Sequence, residues 1–84
     1  MEEFIEFVAK HLVNNPGEVR VERLEEEGER ERYLLYVEPT DRGKIIGRQG
    51  RTIKSFRILV GAVAARKGRR ASFDIFDEMP QDSE

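Results

Sequence analysis

The sequence predicts a small α+β domain whose elements follow the order α-β-β-α-α-β, and three observations predict it. Apolar residues recur at helical spacing near the amino terminus and again after residue 50. Apolar and polar residues alternate in three further short runs, as in strands. The short polar segment between the first two predicted strands favours an antiparallel hairpin. The connection of about 30 residues between the second and third predicted strands favours parallel pairing of those two. The expected product is a three-stranded mixed sheet with helices packed on one face.

The first helix is expected over residues 2–14, and the turn-forming run 14–17 ends it. Its apolar face carries Phe4, Ile5, Val8, Leu12 and Val13, with Phe7 near the edge. The first strand is expected over residues 18–25. Its alternation breaks at Arg23-Leu24, which predicts a β-bulge or an early strand end.

The polar run 25–32 contains Gly28 and is expected to form the tip of the hairpin. The second strand, residues 32–38, is apolar on both faces, which indicates a central strand. Thr40 and Asp41 then offer an N-cap for a short helix over residues 42–46.

A longer helix is expected over residues 51–67, and Gly68 is a stop signal for it. Its apolar face carries Ile53, Phe56, Leu59, Val60, Val63 and Ala64. Ala71, Phe73 and Ile75 then alternate with polar residues as the third strand. Residues 1–77 are therefore expected to form a single domain, and residues 78–84 a disordered acidic tail.

Composition excludes several classes of function. The chain of 84 residues has no cysteine, so it has no disulfide, no thiol nucleophile and no cysteine-based metal site. Its single histidine, His11, has no partner at ligand spacing. No apolar run approaches the ~20 residues that span a bilayer. Acidic residues occupy the positions where a signal peptide would be basic, so a cytoplasmic protein without membrane contact is expected.

The charges are strongly segregated along the chain. The stretch from Arg42 to Arg70 contains ten basic residues and no acidic one, although the formal net charge of the whole chain is −2. The ten are Arg42, Lys44, Arg48, Arg51, Lys54, Arg57, Arg66, Lys67, Arg69 and Arg70. A polyanion is the partner that such a segment favours.

Gly47 and Gly50 lie inside this basic stretch, between the two predicted helices. Glycines permit a sharp reversal, which lets the amides of residues 48–51 point outward beside the positive end of the next helix dipole. Such a turn suits a phosphate. The Walker A and dinucleotide-binding glycine patterns are both absent, so no nucleotide cofactor is expected, and a phosphodiester backbone is the predicted ligand.

Ile46-Gly47-Arg48-Gln49-Gly50 matches the I-G-x-x-G signature of K-homology (KH) domains. In this element order, essentially the whole of residues 1–77 resembles small single-domain bacterial RNA-binding proteins of the KhpA type, which have the type II KH fold. The resemblance implies a non-catalytic protein that clamps single-stranded RNA, or single-stranded DNA, in a groove. It also implies roles in post-transcriptional regulation or as an RNA chaperone.

Carried onto this sequence, the resemblance implies that Gly47, Arg48, Gln49 and Gly50 hold the sugar-phosphate backbone. Lys44, Arg51 and Lys54 would support them, and Ile45 or Ile46, with Ser72 on the third strand, would face the bases. The two isoleucines cannot both face one groove, so at least one of them is expected in the core. The family also implies a homodimer, or a heterodimer with a larger KH-containing protein.

A second hypothesis is a protein-interaction module that forms dimers through its basic face or through a patch of small residues. That patch comprises Gly61, Ala62, Ala64 and Ala65. Because glycine inside a helix costs ~1 kcal/mol relative to alanine, Gly61 needs an explanation. Tight packing on the sheet and a helix–helix dimer contact are both open. No nucleophile–base pair, metal cluster or buried pair of carboxylates can be assembled, so an enzyme is not expected.

Overall fold

A computed structural model describes residues 1–77 of the chain, apart from the side chains of residues 25 and 26. The elements are α1 (Glu2–Leu12), β1 (Arg20–Glu27), β2 (Arg30–Tyr36), α2 (Arg42–Ile46), α3 (Arg51–Arg66) and β3 (Arg70–Ile75). Short 3₁₀ turns precede β1, α2 and α3. The α-β-β-α-α-β order is confirmed. The predicted acidic tail, residues 78–84, lies outside the described residues.

The three strands form one mixed sheet in the order β1-β2-β3. β1 pairs antiparallel with β2, and β2 pairs parallel with β3. The prediction that the second strand is central is confirmed. The register shifts between Arg23 and Glu25, and the intervening Leu24 is exposed. Because β1 continues to Glu27, the bulge is confirmed and the alternative of an early strand end is wrong.

The hairpin is tighter than expected. Gly28 adopts a φ of 60°, and only Gly28 and Glu29 separate the strands. This two-residue turn brings Glu27 into register with Arg30. The polar run predicted as the tip of the hairpin is therefore mostly paired strand.

The helices cover one face of the sheet and enclose the core. α1 contributes Ile5 and Ala9, and α3 contributes Phe56 and Val60. The ring of Phe56 lies 4.5 Å from that of Phe73 on β3, centroid to centroid. Phe7, predicted near the edge of the apolar face of α1, is 61% exposed.

Gly61 is not explained by close packing. A Cβ atom placed at Gly61 would meet nothing within 4 Å, so tight packing on the sheet, one of the two explanations above, is wrong. Ala64 lies in the core, whereas Ala62 and Ala65 are exposed. The small-residue patch is therefore limited to Gly61, Ala62 and Ala65.

α3 ends at the predicted stop signal. Gly68 has a φ of 72°, its amide donates to the Ala65 carbonyl at 2.9 Å, and the Arg69 amide donates to the Ala64 carbonyl at 2.9 Å. This pair of hydrogen bonds closes the helix and directs the chain into β3. Arg69 then forms an ion pair with Glu31 of β2, fastening the start of β3 to the helix side of the sheet.

Asp41 does not cap α2 as predicted. It occupies the N-cap position, but its side chain makes no capping hydrogen bond. Its buried carboxylate instead accepts hydrogen bonds from the backbone amide and the side-chain Nδ2 of Asn15, both at 3.0 Å. Asp41 thereby ties the segment after α1 to the start of α2. The prediction failed because the partner is distant in sequence.

The surroundings of Asp41 favour its charged form. Burial alone would raise the pKa of this carboxyl group, but the hydrogen bonds from Asn15, a hydrogen bond from the Asn14 backbone and the charge of Lys44 together lower the pKa. The folded pKa thus lies below the ordinary value of 3.8. The carboxylate therefore stabilises the fold above that value, and its contribution is lost as the pH falls through the folded pKa.

We expect Asp41→Asn to lower the melting temperature by several degrees at pH 7, because the amide keeps the shape but loses the charge that strengthens both hydrogen bonds. The difference from wild type should shrink at pH 3, below the ordinary value of 3.8, because the stabilising contribution of the carboxylate decreases as the pH falls toward the folded pKa. Circular dichroism melting at the two pH values measures both effects. Asp74→Asn, on an exposed carboxylate, is the matched control and should change little. An equal difference at both pH values would contradict this role of Asp41.

Candidate nucleic-acid interface

The turn between α2 and α3 reverses the chain through positive φ angles. Gly47 has φ 78° and ψ 173°, Gln49 has φ 59°, and Gly50 has φ 74°. The Gly47 amide donates to the Gly43 carbonyl at 2.8 Å, which ends α2. Positive φ is rare for a residue with a side chain, and Gln49 accepts it at the tip of the turn.

The two glycines are needed for different reasons. A Cβ atom on Gly47 would lie 2.1 Å from Oγ1 and 2.8 Å from the backbone nitrogen of Thr52, in the first turn of α3. No real contact is that short, so the turn closes on α3 only because Gly47 has no side chain. A Cβ atom on Gly50 would meet nothing within 4 Å, so only its positive φ requires glycine. Sequence reasoning missed Thr52, because this contact exists only in the closed turn.

Fewer amides face outward than predicted. The Gly50 amide donates to the Gly47 carbonyl at 3.1 Å, and the Arg51 amide donates to the Arg48 carbonyl. Two of the four amides expected to face a phosphate are therefore used inside the turn. Only those of Arg48 and Gln49 are left for a ligand.

The side chains around the turn largely match the predicted set. Arg48 and Gln49 are exposed at its tip, and Lys44, Arg51 and Lys54 are exposed within one helical turn on either side. All five predicted side chains are therefore solvent-exposed around the turn.

The two isoleucines before the turn separate cleanly. Ile45 is fully buried in the core, so its inclusion among the RNA-contacting residues is corrected. Ile46 is 41% exposed and is the isoleucine that a ligand can reach. Adjacent residues of a helix point about 100° apart, so only one of them can face the core.

Ser72, which was predicted to face the bases, does not lie beside the turn. Its neighbour Phe73 is buried against Phe56, on the helix side of the sheet. Because successive side chains of a strand alternate, Ser72 faces the opposite, open side. It is exposed beside Arg32, its partner in the register of β2 and β3.

Three of the ten cations in the basic stretch form ion pairs within the fold. Arg42 pairs with Asp77 and Arg57 with Asp74, each at 3.4 Å, and Arg69 pairs with Glu31. The other seven form no ion pair with any described residue. Lys44, Arg48, Arg51 and Lys54 lie around the amino-terminal end of α3, and Arg66, Lys67 and Arg70 lie around its carboxyl-terminal end. The unpaired charge is therefore gathered at two ends of one helix.

None of the described helices is long and apolar enough to cross a membrane. Among the side chains that the structure describes, no group of three or more histidine, aspartate or glutamate residues is placed to hold a metal ion.

We expect Gly47→Ala to lower the free energy of unfolding by ~2–4 kcal/mol, because it adds an overlap with Thr52 to the strain of a positive φ. Gly50→Ala should cost ~1–2 kcal/mol, since it adds the strain alone. Gly43→Ala, within α2 and next to open space, is the control and should be neutral or stabilising. Urea unfolding of the three variants measures the order. Equal losses at Gly47 and Gly50 would show that the contact with Thr52 is unimportant.

Comparison with known proteins places this chain in a family. A family model for the KH domain of KhpA and KhpB matches residues 2–75. The RNA-binding protein KhpA of Chlamydia pneumoniae is 44% identical over 79 residues, covering 93% of this chain and 99% of that protein. The proteins of the same name from Halalkalibacterium halodurans and Bacillus subtilis are 42% and 38% identical, covering 92% of this chain and 100% and 94% of their own lengths. The chain belongs to the KhpA/KhpB family of KH-domain proteins.

Proposed function

We propose that this protein binds single-stranded RNA by clamping its sugar-phosphate backbone on the turn from Gly47 to Gly50. The geometry and charge of the turn carry the proposal. The amides of Arg48 and Gln49 are free at its tip, and the exposed cations around them have no ion-pair partner among the described residues. The relatives named above are RNA-binding proteins, which supports RNA as the ligand.

Each part of the turn has a physical role in this proposal. The amides of Arg48 and Gln49 donate to one phosphate, next to the positive amino-terminal end of the 16-residue helix α3. Lys44, Arg51 and Lys54 supply the charge that attracts the neighbouring phosphates. The missing side chain at Gly50 leaves the backbone accessible to the strand.

Base contacts in this proposal are mostly apolar. Ile46 lies one residue before the turn with 41% of its surface exposed, and offers an aliphatic contact to a base or ribose. The stretch from Arg42 to Ser55 contains no aromatic residue for stacking. The protein acts by binding and not by catalysis.

We expect Arg48→Asp combined with Gln49→Asp to keep the fold and to abolish binding to a short single-stranded RNA. Aspartate tolerates the positive φ at residue 49, so the turn should survive, while two carboxylates repel phosphate at its tip. Fluorescence anisotropy at matched salt measures the affinity. For wild type, the logarithm of the affinity should fall with the logarithm of salt concentration, with a slope of roughly −0.7 per phosphate contacted.

The matched control is Lys10→Asp combined with Arg20→Gln, which makes the same change in net charge on α1 and β1. Both side chains are exposed and lie outside the turn. The control should bind nearly as well as wild type. Wild-type affinity in the Arg48/Gln49 variant, or an affinity independent of salt, would refute the proposed function.

A second candidate function, self-association through α3, is favoured by a specific surface. Ile58 is 65% exposed and shares the outer face of α3 with Gly61, Ala62 and Ala65. A helix face of small residues around one large apolar side chain permits close approach of a second helix. This would make the protein a homodimer, or a partner for a larger KH protein.

We expect Gly61→Leu to shift the protein from dimer to monomer in sedimentation velocity while its far-ultraviolet circular dichroism stays unchanged. The space beside Gly61 is open within the chain, and leucine favours a helix over glycine, so the monomer should tolerate the change. A dimer that persists in the variant, or a wild type that is monomeric at high concentration, would rule out this contact.

A further inference from the structure

The open face of the sheet carries a second group of cations, away from the turn. Tyr33 and Phe73 face the helices, so the residues that alternate with them face outward. In the parallel register, Arg30 lies opposite Arg70 and Arg32 lies opposite Ser72. These strand segments line an open depression of about 320 Å³. Arg30 lies outside the acid-free stretch, so only the strand register brings it to this site.

The pair formed by Arg30 and Arg70 is not neutralised by the described residues. Like charges directly opposite each other on neighbouring strands destabilise a sheet. Glu27 is the register partner of Arg30 on β1, yet neither arginine forms an ion pair with a described residue. Glu31, the acidic residue that follows Arg30 in the sequence, points to the helix side.

Glu31 is already engaged there. Its Oε1 accepts a hydrogen bond from the Tyr33 hydroxyl at 2.6 Å, and its Oε2 is bound by Arg69. These partners lower the pKa of Glu31 despite the opposing effect of burial, so it remains ionised and held. The two guanidinium groups on the open face are therefore suited to bind an anion from outside the described chain. A phosphate fits, because the forked N–H donors of a guanidinium group match the geometry of phosphate oxygens.

The position of this pair relates it to the turn. α3 has 16 residues, a length of ~24 Å, and runs from the turn to the short connection before Arg70. The turn and the arginine pair therefore lie toward opposite ends of the same helix. A KH turn holds about four nucleotides, so a longer strand is needed to occupy both places.

We propose that Arg30 and Arg70, with Ser72 beside them, form a second phosphate-binding site on the open sheet face, which engages RNA beyond the nucleotides held at the turn. The inference rests on the proposed function, since it assumes that one end of the strand is clamped by Gly47–Gly50. The second site adds affinity for longer strands and has no effect on the shortest ones.

The test compares two lengths of oligouridylate. One is a tetranucleotide, which matches the about four nucleotides that a KH turn clamps, and the other is roughly three times as long. Isothermal titration calorimetry gives the affinity of wild type and of Arg30→Gln combined with Arg70→Gln. For the longer strand, we expect the variant to lose roughly tenfold in affinity and its salt slope to become shallower by about 1.4, the value for two lost phosphate contacts. Tetranucleotide affinity should be unchanged.

Lys10→Gln combined with Arg20→Gln is the matched control, because it removes the same charge from exposed positions away from the pair. The control should change the affinity for either oligonucleotide by no more than about twofold, because distant charges are screened by salt and act weakly. The melting temperature of the Arg30/Arg70 variant should equal or exceed that of wild type, since a like-charge pair has been removed.

Three results would overturn the second site. Equal losses for both strand lengths would mean a general charge effect, and unchanged affinity for the longer strand would mean no contact. If the Arg30/Arg70 variant lost self-association but kept its RNA affinity, the arginine pair would be assigned to a contact with a protein partner. If wild type binds neither strand, the proposed function itself fails, which is a distinguishable outcome.

Discussion

The absence of a side chain at Gly47 is the constraint on which the candidate site depends. Any Cβ atom there would overlap Thr52, including its backbone nitrogen, so only glycine lets the turn close against the start of α3. The closed turn presents Arg48 and Gln49 at its tip. It also fixes α2 so that Ile45 enters the core and Ile46 stays exposed. The hydrogen bonds between Asp41 and Asn15 hold the other end of α2, so the short helix is anchored at both ends.

Ion pairing within the fold determines where positive charge remains available. Arg42, Arg57 and Arg69 are paired with carboxylates on or next to the sheet, although in the sequence they look the same as the other basic residues. The remaining charge is concentrated at the two ends of α3. A protein of slightly negative net charge can therefore present a strongly positive surface to a phosphate chain, because local charge and not net charge steers association.

The sequence was sufficient for the architecture. Period and alternation predict the element order, the central strand and the bulge, because each of these is a local pattern of burial. Three features were not predictable. The hydrogen bonds of Asp41 and the juxtaposition of Arg30 and Arg70 depend on contacts between segments that are distant in sequence. The use of the Gly50 and Arg51 amides inside the turn depends on one turn conformation. Phe7 shows a further limit, since periodicity locates the apolar face of a helix but not how far its neighbours cover the edge.

Nuclear magnetic resonance titration of the isotopically labelled protein with a short single-stranded RNA distinguishes binding at the turn from binding elsewhere on the surface. We expect the largest amide shifts on Arg48 and Gln49, with smaller ones extending from Lys44 to Lys54. Their size should track a single saturable binding curve. Saturable binding that leaves the amide signals of Arg48 and Gln49 unmoved would show that the turn is not the RNA-binding site.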